Sequence, residues 1–213
     1  MTIRAYYDGY LDDAQDILGQ MMDYAINNCK MDGDVYFRMF LASGIAEQFE
    51  HGNPKYIAGM TGGEIVKEVV LQQKGVELNQ KEEYDLDKSP AYWCGWILAY
   101  YQWRTCRSFK RIHQFLSIKD ILCMYPTHHE ADEEYSVDSF NQIYERKHSY
   151  TYLKEMMDTL GITIEELSER TEISMSELKM LANDIEKMRY VDATKLYILA
   201  TALRCSMDEL IEF

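Results

Sequence analysis

Proline is scarce here, 3 in 213 residues, and glycine numbers only 11. With few runs of Val and Thr, that scarcity argues against a turn-rich all-β fold and in favour of helices. Cysteines stand at 29, 94, 106, 123 and 205, an odd count with no C-x-x-C pair. They are expected to be free thiols packed as small apolar residues in a reducing cytosol. No basic start followed by an apolar run is present, so no signal peptide is expected. Nor is any apolar stretch long enough to span a bilayer. An excess of Lys and Arg is also missing. The formal net charge is -14, with 15 basic and 23 acidic residues up to His148 and 7 and 13 after it. Neither part therefore has the cationic surplus that drives nonspecific nucleic-acid affinity, and the acidity suits a basic partner.

What is present is core material. Apolar residues make up 47% and aromatics 13%, with 17 tyrosines, enough for one or two packed domains and too much for disorder. Leu11, Ala14, Ile17, Leu18, Met21, Met22 and Ala25 form an apolar stripe over 10–29, and a second helix is expected over 34–49. Thr61 with Glu64 reads as a capping box opening a helix through about Gln73, and the polar stretch 74–88 reads as an exposed loop. Ser89-Pro90 opens a helix whose sequence, AYWCGWILAYYQWRT, is apolar on nearly every side, as a buried central helix requires. Ser108 and Ser117 (the latter with Asp120) cap two more. Pro126 is expected to break the chain before an acidic helix from about His129 to Arg146. The polar run 145–150 is the expected boundary between an acidic helical domain, 1–146, and a second domain, 147–213.

In the second domain five short helices follow from their caps. One covers 150–160 and stops at Gly161; others start after Thr163, Ser174, Asp192 and Ser206. Thr163, Ser174 and Ser206 each have Glu three residues on, the capping-box spacing that pairs otherwise orphan backbone donors. Leu153, Met157, Leu160, Leu167, Ile173, Leu178, Leu181, Leu196, Leu199, Leu203, Leu210 and Ile211 supply a core. This pattern, with its ending LYILATALRCSMDELIEF, resembles the lambda-repressor-like, or Xre-type, helix-turn-helix domain over about the final 65 residues.

The resemblance implies that the helix from Met175 lies in the major groove of DNA. It also exposes departures. Where the family commonly carries Gln, Ser or Arg at the start of both motif helices, this chain has Ile164 and Met175, and Glu172 stands where Gly is usual. Met180 and Glu177 also occupy reading positions, and Glu177 would repel phosphates while offering an acceptor to cytosine. Ser174, Ser176, Lys179, Asn183, Lys187 and Arg189 remain as candidate DNA contacts. Further upstream, YLDDAQDILGQMMDYAINN, ASGIAEQFEHGNPKYIAGMTGGEIVKEV and SPAYWCGWILAYYQW resemble a domain found ahead of Xre-type modules in uncharacterised Firmicutes regulators. That implies an antitoxin whose N-terminal domain grips a co-encoded, toxin-like protein.

Other chemistry is thinner. His128, His129, Glu130 and Asp132 cluster, but adjacent histidines diverge by about 100° on a helix, and an exposed helix start is the simpler reading, so no metal is expected. The glycine-rich stretch 51–63 precedes a helix N-terminus, yet lacks the Lys-Ser/Thr pair of a phosphate-binding loop, so no cofactor is expected. These residues are expected to serve close helix packing instead. Arg104, Arg107, Lys110 and Arg111, with His113, form the concentrated basic stretch, suited to phosphate or an acidic partner, or to the carbonyls ending the preceding helix.

The expectation is an all-α protein with a helical N-terminal domain and a C-terminal five-helix lambda-repressor-like domain. Its function is expected to be that of a cytoplasmic, homodimeric, antitoxin-type transcriptional regulator without catalysis. One alternative is a helix-turn-helix that no longer reads DNA and serves protein interaction. A further one is a small-molecule- or nucleotide-handling enzyme using the 51–63 loop or His128–Asp132.

Overall fold

The computed structural model describes residues 4–82, 88–147 and 151–210. Every regular element among them is a helix, so the protein is all-α. The chain divides into two compact units, Met1–Tyr144 and Glu145–Phe213.

In the first unit, α1 (Leu11–Asp23) carries the expected stripe and runs on as a π-helical turn over Tyr24–Asn28. The single helix expected over 34–49 is two: α2 (Gly33–Ala42) and α3 (Ile45–Glu50). Gly44 separates them at φ 75°, a left-handed conformation that ends a helix at little cost only in glycine. Within the glycine-rich stretch a one-turn helix, α4 (Pro54–Ile57), begins on an Asn53 cap. Then α5 (Gly62–Lys74) starts on the complete Thr61–Glu64 capping box and stops at left-handed Gly75.

Helix α6 (Pro90–Thr105) opens on Ser89, as read, and is buried along most of its length. It crosses α1 where Gly95 meets Leu18 and Gly19. A Cβ on Gly95 would stand 2.1 Å from the Leu18 carbonyl oxygen, and one on Gly62 would stand 2.2 Å from the Met21 amide nitrogen. Both α6 and the start of α5 thus approach the α1 backbone more closely than any side chain permits. Elsewhere in the same core Phe37, Phe40, Phe49 and Phe109 interlock at centroid distances of 5.7–6.0 Å. Helices α7 (Phe109–Phe115), α8 (Ile118–His128) and α9 (Glu133–Lys147) complete the unit.

One expectation needs correction here. Pro126 does not break the chain but lies in the last turn of α8, where it forgoes one amide bond and the helix ends two residues later anyway. Residues 145–147 of the expected hinge are helical, as the end of α9; 148–150 lie outside the described residues. Part of the expected acidic loop, 83–87, lies outside them too.

The second unit contains α10 (Tyr152–Leu160), α11 (Ile164–Thr171), α12 (Met175–Asn183), α14 (Ala193–Leu203) and α15 (Met207–Leu210), the five helices read from their caps. A sixth, α13 (Ile185–Arg189), is a five-residue turn on an Asp184 cap that the apolar pattern was too short to reveal. Met188, at 1% exposure, is its contribution to the core. Leu160, expected inside, is instead 47% exposed on the last turn of α10. Ile211 lies outside the described residues. The remaining ten residues expected in this core are all buried.

Candidate nucleic-acid interface

Helices α11 and α12 are held at a fixed turn by hydroxyls. The Thr163–Glu166 box closes the start of α11, and Ser174 Oγ accepts from the Glu177 amide at the start of α12. Between them, Ser168 Oγ donates to the Ile173 carbonyl at 2.6 Å, and Thr171 Oγ1 donates to the Leu167 carbonyl at 2.6 Å while accepting from the Ile173 amide. Glu172 takes the glycine-like place in this turn at φ 58°, a left-handed conformation that costs a residue with a Cβ on the order of 1 kcal/mol. The far end of α12 is anchored as firmly. Fully buried Thr151 donates through Oγ1 to the carbonyls of Leu181 and Ala182, and its amide donates to Ala182 as well.

Helix α12 buries Leu178, Leu181 and Ala182 and exposes Met175, Ser176, Lys179, Met180 and Asn183. At about 100° per residue these five span about 140° of one face, with Ser176, Lys179 and Asn183 in the middle and the two methionines at its edges. That face carries no acidic side chain. Glu177 sits off it, its carboxylate bound to Lys195 Nζ of α14 at 2.5 Å. This pair also explains why the expected Ser174–Glu177 box is only half formed: the carboxylate that would return to the Ser174 amide is engaged elsewhere.

Each candidate DNA contact has a definite place. Ser174 is the α12 cap, and Ser176 and Lys179 stand exposed on the outer face. Asn183 is exposed, but its Nδ2 donates to the Lys179 carbonyl at 2.7 Å. Lys187 and Arg189 lie exposed on α13, next along the chain. Ile164 does not point outward as a contact residue: it is partly buried and packs against the domain core. Beside it, Glu165, Glu169 and Glu172 keep the exposed side of α11 and its turn acidic.

The basic stretch of the first unit is turned largely inward. Arg104 Nε donates to Glu134 Oε1 at 2.8 Å. Arg107 donates to the Tyr101 hydroxyl and Asn141 Oδ1, both at 2.8 Å, and lies 4.3 Å over the Tyr144 ring. Buried Arg111 donates to the Tyr144 hydroxyl at 2.6 Å. Lys110 is exposed. The three arginines knit α6 and α7 to α9, which sequence spacing cannot show because the α9 partners lie 30 or more residues away.

The remaining candidates are likewise engaged within the fold. Around the start of α5, Glu82 Oε1 pairs with Lys67 Nζ at 2.6 Å and Oε2 accepts from the Thr61 hydroxyl at 3.3 Å. A Cβ on Gly63 would stand 2.1 Å from the Glu82 carboxyl carbon, so the chain's own carboxylate occupies the ground an anion would use. His128 meets Ser139 Oγ and the Met124 carbonyl, whereas His129 stacks on Tyr125 at 4.2 Å. Among the described residues, no three His, Cys, Asp or Glu side chains gather as metal ligands would. Cys94 is fully buried, and burial pushes its thiol well above the ordinary range; burial first, then the Glu209 charge, pushes Cys205 up to about 11. Neither is a ready nucleophile.

Residues 152–213 match the family model of the Cro/C1-type HTH DNA-binding domain. The match begins at the first residue of α10 and takes in the whole α11–turn–α12 arrangement. No curated protein and no solved structure matches the chain. Among the described residues, no helix is long and apolar enough to cross a membrane.

Proposed function

We propose that the protein is a transcriptional regulator of antitoxin type. The C-terminal domain docks on operator DNA with α12 in the major groove, and the N-terminal unit binds a co-encoded, toxin-like protein. The observation that carries the DNA half is the Cro/C1-type domain with its outward α12 face free of acidic side chains. Ser174, Ser176, Lys179 and Asn183 are then the contacts from α12, and Lys187 and Arg189 meet the backbone from α13. Phosphate contacts fix the position of such a module, and base edges give its specificity.

One module with so few cations binds weakly, and pairing two of them on half-sites about one helical turn apart raises the avidity. A homodimer acting in the cytoplasm is therefore part of the proposal. For the N-terminal unit, the support is its resemblance to domains placed ahead of Xre-type modules, and its acidity, which suits a basic partner. Of its basic stretch, Lys110 is the residue most available to such a partner; Arg104, Arg107 and Arg111 act through the surface they hold in place.

A second reading keeps the fold and drops the DNA. Two methionines at the edges of the α12 face and acids along α11 also suit a protein partner. Anisotropy of a labelled duplex from upstream of the coding sequence separates the two. DNA reading requires binding by the full chain at low salt, alone or with the co-encoded partner, which weakens steeply as salt is raised and falls at least tenfold in Lys179→Glu. No binding in either condition at low salt favours the protein-interaction reading.

A further inference from the structure

We infer that α12 reads thymine methyl groups through Met175 and Met180, so that the operator half-site is specified by apolar contact more than by hydrogen bonds. The inference rests on the proposal that α12 is the major-groove helix and goes beyond it by naming what the helix recognises.

On the outer face of α12 only Asn183 could make a two-pronged hydrogen bond to a base. The face contains no Arg and no Gln. Asn183, whose amide and carbonyl together would pair with adenine, spends one Nδ2 hydrogen on the Lys179 carbonyl of its own helix and sits at the last residue of α12. Ser176 offers one hydroxyl that either base type accepts, and Lys179 is a flexible point charge. Hydrogen bonding from this face is therefore confined to one bidentate candidate at the end of the helix.

Apolar reach is what the face has in quantity. Met175 is 47% exposed and Met180 43% exposed, on a domain whose other α12 apolar side chains, Leu178, Leu181 and Ala182, are at most 2% exposed. In the major groove the feature that answers an apolar tip is the thymine 5-methyl group. The unbranched thioether adapts to it without demanding one backbone geometry. Five residues along a helix span about 7.5 Å, or roughly two to three base-pair steps at 3.4 Å each. Thymines on one half-site separated by that interval are the expected target, with Lys179 between the two contacts drawing in the phosphates.

The test begins with duplexes selected from a randomised library by the full-length chain at low salt. Thymine is expected at two positions, two to three steps apart in each half-site. Replacing either thymine by uracil removes only the methyl group and should weaken binding about fourfold, the scale of one buried methyl. Met175→Ala should abolish the uracil effect at one position and Met180→Ala at the other, with melting temperatures unchanged because both side chains are exposed. Selected sites without such thymines, or uracil duplexes bound as tightly as thymine ones, would overturn the inference and leave DNA reading by α12 standing. Failure to enrich any duplex would overturn both.

Discussion

The two units close their helix starts in different ways. In the C-terminal domain the cap is a neighbour: Thr163, Ser174, Asp184, Asp192 and Ser206 each accept an amide two or three residues ahead. In the N-terminal unit such local caps are reinforced by acids from far away. Asp34, on α2, accepts from the amides of Ile118 and Lys119 at the start of α8, and Glu50, at the end of α3, accepts from the Phe109 amide at the start of α7. Asp23, at the end of α1, receives the hydroxyl of Ser89, the cap of α6. The lesson concerns the charge of -14. In the first unit part of the acidity is architecture, fastening helix to helix. In the second the caps are local, and the one acid of α12, Glu177, is paired with Lys195 off the outer face.

The sharpest break of the first unit is at its glycine crossing. Gly95→Val should lower stability by about 3 kcal/mol or more, since its Cβ has only the Leu18 backbone to displace. The thermal transition followed by tryptophan fluorescence is the readout, because Trp93, Trp96 and Trp103 all lie on α6.

Next in size is the remote cap. Asp34→Ala should cost about 2 kcal/mol, the value of a cap that accepts from two helix-start amides. Burial pushes the Asp34 carboxyl up. Hydrogen bonds from His113, Ile118 and Lys119 and the His113 charge outweigh it, so the net shift is downward. A depressed carboxyl adds stability that is present above its unfolded value and lost as pH falls through the folded one. Wild-type protein should therefore lose stability on acidification below about pH 4, and the Asp34→Ala profile should be flatter there in denaturant titrations at stepped pH.

What could be read from sequence divides along the same line. Caps two or three residues from their partners were legible, and so were the helices they open: α5, α6, α7 and α8 in one unit, and α11, α12, α14 and α15 in the other. The break at Gly44 was not, because Phe37, Phe40, Ile45 and Phe49 keep one apolar stripe across it. The inward turn of Arg104, Arg107 and Arg111 was hidden because it depends on where α9 brings Glu134, Asn141 and Tyr144. At the interface, the replacement of polar residues by Ile164 and Met175 was visible at once. The diversion of Glu177 to Lys195, and of Asn183 to its own helix, needed the fold.

Smaller effects sharpen the C-terminal half. Glu172→Gly should raise stability by up to about 1 kcal/mol, since glycine relaxes the left-handed turn between α11 and α12. Circular-dichroism melts at 222 nm read this, and a loss would mean that Glu172 contributes something its backbone angle conceals. The least effect is expected from Glu177→Gln. It frees Lys195 and removes a negative charge beside the DNA face, so duplex affinity should rise about two- to fivefold at low salt, and the gain should vanish as salt screens it.

The most direct measurement is amide chemical-shift mapping of the full-length, isotope-labelled protein titrated with its upstream duplex. The account requires the largest shifts to fall between Ser174 and Arg189, with the amides of α1 and α6 unmoved. Shifts centred on the N-terminal unit, or none on α12 at saturating duplex, would contradict it.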